Sequence, residues 1–249
     1  KQKTAYEIRP RDWSSDVCSS DLAPVLGADE ATNGTGAAGP AVATLAAPAG
    51  RVGLVASAIL PAPDGGMRVI VVFGNGGDLP ASPNAMYGFA TDAGELFVVG
   101  QPTGWYGGEG TVEGMAAPVL LAPGAFGFAT EILDEPVPDG ARLLAGADGE
   151  TDPFYFGIDP TVVVDSTALV GGTIAATVRN ASPEAILATL IVGAVCLDDA
   201  GTPTAFVGTT VEYEVGEELA PGGTADVSID LAGTACDSYL VAASADEAW

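Results

Sequence analysis

The sequence predicts an all-β chain built as two tandem antiparallel sandwiches. Three observations carry that expectation: apolar and polar residues alternate with a period of two in several short runs, turn signals separate the runs, and the same series of signals occurs twice. Ile174, Ala176 and Val178 alternate with Thr173, Ala175 and Thr177. Val211, Tyr213 and Val215 alternate with Glu212 and Glu214, and Val227, Ile229 and Leu231 with Asp226, Ser228 and Asp230. Successive side chains of a strand point to opposite faces, so the pattern marks antiparallel strands with one wet face.

Residues 1–22 resemble the translation of a sequencing adapter, with residues 1–8 and 12–22 matching its two ends, and are set aside from fold reasoning. The natural N-terminus is expected upstream, together with any signal peptide or lipid anchor. Four of the 8 basic and four of the 33 acidic residues fall in this segment. The rest keeps four arginines, no lysine and 29 acids, still a net charge of −25. So acidic a surface argues against nucleic acid and anionic membranes, whose binding requires basic side chains. The chain has no histidine, which removes the usual general base and the Ser/His and Cys/His couples. Lysine absence removes Schiff bases and phosphate-loop chemistry. Carboxylate-only catalysis, as in glycoside hydrolysis, stays open as an alternative.

Residues 23–50 form an Ala/Gly/Thr/Pro tract without periodicity, expected to be a flexible linker. No run of eighteen apolar residues occurs, so no transmembrane helix is expected. Residues 51–149 read as the first sandwich, with strands at 52–60, 67–73, 86–90, 96–99 and 126–132. Gly74-Asn75, Asp92-Ala93-Gly94 and Leu121-Ala122-Pro123-Gly124 punctuate them. The excursion 101–117 is read as a Gly-rich loop. Residues 150–160 are the expected linker, closing on Phe154-Tyr155-Phe156, and 161–249 the second sandwich.

Within that second unit, 185–197 is almost continuously apolar. Its β-branched residues and the following Asp198-Asp199-Ala200-Gly201 turn favour a central strand entering a hairpin. Arg179-Asn180, Asp199-Ala200-Gly201 and Leu219-Ala220-Pro221-Gly222 repeat the signals of the first unit. The offset is 107 residues between the hairpins and 98 between the Leu-Ala-Pro-Gly turns, about one domain length. An internal duplication accounts for this. Each unit, near 95 residues, is long enough to bury roughly 65% of its unfolded surface.

The order of a strand ending in Arg179-Asn180, a long apolar strand, an Asp-Ala-Gly hairpin, a Phe206-Val207-Gly208 strand and Leu219-Ala220-Pro221-Gly222 resembles the FxLYD domain. That family is an immunoglobulin-like module of secreted and cell-surface prokaryotic proteins. Its naming motif is represented by Leu197 and Asp198 in Val195-Cys196-Leu197-Asp198-Asp199, without the Phe or Tyr. A Cys near the last strand, as Cys236, is also common there. The resemblance covers the last third of the chain and implies tandem immunoglobulin-like antiparallel β-sandwich domains. It further implies an extracellular or cell-envelope location, an envelope protein or glycan as partner, and no catalytic residues.

Three candidate sites follow, with two lesser signals beside them. Cys196 and Cys236 are the only cysteines outside the adapter segment, which holds Cys18. A structural disulfide is expected of them, with two buried free thiols as the alternative. Trp105 and Tyr106, in the Gly-rich excursion, are the candidate binding residues, because aromatic loop tips offer large contact area at small entropic cost. The alternative is a Trp folded back over the sandwich edge. Asp148, Glu150 and Asp152 alternate as the start of a calcium site would, though no Gly or bidentate Glu completes an EF-hand loop. Asp198-Asp199 reads as turn chemistry, and Asn33 and Asn180 fall in glycosylation sequons. The resemblance implies a binding, spacing or envelope-display role; the acids and the Trp105 loop would serve the alternative, a calcium-dependent adhesion or carbohydrate-binding module.

Overall fold

Val69, Ile70, Val71, Val72 and Phe73 are all fully buried, and a strand can bury consecutive side chains only when both its faces are covered. The structure is a computed structural model. It describes residues 41–42, 45–62, 65–91, 96–102, 104–106, 108–109, 121–133, 136–137, 140–150, 162–181, 189–212 and 218–246. These lie within one compact unit, residues 38–249. The expectations for residues 1–22 and for most of the two linkers fall outside them.

In chain order the strands are β1 (Ala41–Val42), β2 (Val52–Pro61), β3 (Met67–Asn75), β4 (Ser82–Ala90), β5 (Leu96–Gly100), β6 (Gly104–Tyr106), β7 (Gly108–Glu109) and β8 (Phe126–Leu133). They continue with β9 (Arg142–Glu150), β10 (Val162–Val170), β11 (Thr173–Asn180), β12 (Thr189–Leu197), β13 (Pro203–Glu212), β14 (Thr224–Asp230) and β15 (Ser238–Asp246). There is no helix among the described residues. The fold is all-β and its long pairings are antiparallel.

In the first half, sheet β2-β3-β8 faces sheet β5-β4-β9; in the second, β10-β11-β14 faces β13-β12-β15. Each half therefore orders its six long strands as first-second-fifth over fourth-third-sixth. The correspondence extends to register. β4 pairs β9 over nine positions, from Ser82↔Glu150 to Ala90↔Arg142, and β12 pairs β15 over nine, from Thr189↔Asp246 to Leu197↔Ser238. β2 carries a bulge between Leu54 and Ala56, opposite Phe73, and β10 carries one between Val164 and Ser166, opposite Val178. Phe73 and Val178 stand two residues before Asn75 and Asn180.

Those two asparagines close matching corners. Asn75 is 1% exposed and Asn180 is fully buried, so each amide must find partners inside the protein. Asn75 Nδ2 donates to the Leu121 carbonyl at 2.8 Å, and Asn180 Nδ2 to the Leu219 carbonyl at 2.8 Å. Gly124 N donates to the Asn75 carbonyl and Gly222 N to that of Asn180. Gly124 and Gly222 have φ of 75° and 72°. They occupy the third position of turns closed by Ala125 N→Ala122 O and Gly223 N→Ala220 O, the Pro-Gly type II geometry.

Three apolar layers result. Val69, Val71 and Phe73 meet Ala85, Tyr87, Phe89, Leu121 and Ala129 in the first core. Leu190, Val192, Ala194 and Cys196 meet Ile174, Val178, Val227, Ile229 and Leu231 in the second. The opposite faces of the same two central strands make a third layer, where Ile70, Val72 and Phe128 pack on Val195, Leu197 and Ala242. Phe128 and Phe206 meet edge to face at 5.9 Å, and the Arg68 guanidinium lies 4.4 Å over the Phe206 ring. The contact joins the first-second-fifth sheet of one half to the fourth-third-sixth sheet of the other. It is thus head-to-tail and not two-fold.

Several elements differ from expectation. The strand read at 86–90 starts at Ser82, the stretch 142–150 is a full strand, and 162–170 is another. The excursion read as a loop contributes β6, an edge strand on β8, and β7, which pairs in parallel with β15 at Ser244 and Ala245. Ala41 and Val42, read as linker, pair in parallel with Ser238 and Tyr239. Strands of two or three residues are too short for a period of two to register.

Candidate functional site

The Cys196–Cys236 disulfide is present, with 5.1 Å between the α-carbons and 40 residues of separation. Cys196 is inward-facing on β12 and fully buried, and Cys236 is 8% exposed on the segment entering β15. The bridge ties the central strand of one sheet to the connection that crosses from β14. Both sulfurs lie in the second core, a structural position with no thiol left for chemistry.

Trp105 and Tyr106 are placed by backbone pairing, opposite Ala129 and Phe128 of β8. Trp105 therefore sits on a sheet edge and not at a free loop tip. Asp148 and Glu150 lie at the end of β9, opposite Asn84 and Ser82; Asp152 lies outside the described residues. A strand keeps successive residues of one face about 7 Å apart, whereas a calcium loop curls its backbone around the ion. Groups of three or more His, Cys, Asp or Glu able to hold a metal are absent among the described residues.

Asp198 is committed to its turn. Its Oδ1 accepts from Ala200 N at 2.9 Å and Thr202 N at 2.8 Å, and Gly201 follows at φ 78°, an Asx-type hairpin corner. The Asn180 amide is buried against Leu219 and so is closed to glycosylation; Asn33 lies outside the described residues.

Part of the charged surface lies on the β10-β11-β14 sheet of the second half. Asp226, Ser228 and Asp230 alternate outward on β14, and Thr177 Oγ1 donates to Asp226 Oδ1 at 2.9 Å. Asp165, the extra residue of the β10 bulge, takes both Arg179 Nε at 2.8 Å and Nη2 at 3.1 Å. The hydrogen bond to Asp165, and then its charge, hold the Arg179 pKa above its usual value. Both side chains are more than a third exposed, so the pair orders the bulge and contributes little to stability.

One concave feature was not legible in the sequence. A cleft of about 230 Å³ opens between β10 and β15, under the Leu-Ala-Pro-Gly turn of the first half. Val162, Val164, Leu240, Val241 and Phe126 line it with alanines. Its described lining contains no ionisable side chain and can offer apolar contact alone. It is also smaller than the roughly 300–1,000 Å³ of typical small-molecule sites. Compared with known families and with curated proteins, the chain matches no family model and no curated sequence.

Proposed function

We propose that the chain is a rigid, non-catalytic element of an exported or cell-surface prokaryotic protein, formed by two immunoglobulin-like copies similar to FxLYD domains. Its role is to space, display or bind at the envelope. The observation that carries this reading is the shared layer of Ile70, Val72 and Phe128 against Val195, Leu197 and Ala242. Burying such side chains is worth roughly 1.5–3 kcal/mol each, enough to hold two modules as one body. The matched strand order, bulges and asparagine corners support descent from one copied unit. A disulfide in the second core supports an oxidising compartment, and the acidic surface supports solubility without nucleic-acid or anionic-membrane contact.

Antibody against the chain should label intact host cells. Labelling that requires permeabilisation would overturn the exported location. The calcium-dependent reading rests on the spacing of Asp148, Glu150 and Asp152 in the sequence, and it makes a separate demand. A ligand that binds only the folded state raises the melting midpoint, so the spacer reading expects equal midpoints in calcium and in chelator.

A further inference from the structure

We draw no further inference here: the strongest candidate, the apolar cleft between β10 and the edge of β15 beneath the Leu121-Ala122-Pro123-Gly124 turn, carries none because nothing in the structure shows what covers it.

Discussion

Truncating Phe128 to Ala should loosen the second half of the molecule as well as the first. Phe128 belongs to β8 of the first half, is fully buried, and points into the layer shared with Val195, Leu197 and Ala242. A buried Phe→Ala change costs about 3–5 kcal/mol. In a unit of some 200 residues, each kcal/mol moves the midpoint by about 2–4 °C, so a fall of roughly 6–20 °C is expected. Native-state hydrogen exchange locates the loss. Amides of β12, which belong to the other half, should lose as much opening free energy as those of β3, because opening either half exposes the same layer. A Phe206→Ala partner completes a double-mutant cycle, with a coupling of about 0.5–1.5 kcal/mol expected from the edge-to-face pair. Protection in β12 that stays at its wild-type value while β3 loosens would refute the shared layer.

Three other outcomes follow from single features. Reducing Cys196–Cys236 frees a 40-residue separation and should cost roughly 4 kcal/mol on the chain-entropy model. An unchanged urea midpoint under reductant would show that the bridge constrains nothing. Asn75→Ala removes the side-chain donor to the Leu121 and Leu79 carbonyls and the acceptor of Gly77 N, and Asn180→Ala removes the side-chain donor to the Leu219 carbonyl; each should cost about 1–3 kcal/mol. If one is silent in urea titration while the other is severe, the two corners are not equivalent. Gly124→Ala and Gly222→Ala force a Cβ into the left-handed region and should each destabilise by about 1–2 kcal/mol, a loss that calorimetry reads directly.

The readable parts of the fold were those where one physical requirement acted alone. β11 and β14 have one wet face, and Ile174, Val178, Val227 and Ile229 alternate accordingly. Gly74-Asn75 and Arg179-Asn180 stood out as repeated pairs, and the structure adds what the asparagines do. The apolar run of β12 reads as a central strand and that of β3 simply as a strand; that their second faces cover each other was not legible, since composition carries no partner. β10 escaped notice because its bulge at Asp165 breaks the period of two. β9 was missed because two of its inward positions, Ala145 and Ala147, are small and its end carries Asp148 and Glu150, which read as the start of a calcium site. Among candidate sites, the cysteine pair was legible because no other cysteine competed for it. A Trp105 at the sandwich edge stood among the readings, but that 104–106 would pair with β8 as a strand was not legible, because strand pairing is a long-range property.

The most direct measurement is the distance distribution between the two halves in solution. Leu79 and Val170 are 45% and 68% exposed, one in each half, and Leu79→Cys with Val170→Cys in a Cys18→Ser background provides spin-label sites away from the disulfide. A single narrow distance is expected, because the sheets are packed face to face. A broad distribution, as from two bodies on a tether, would contradict the shared core.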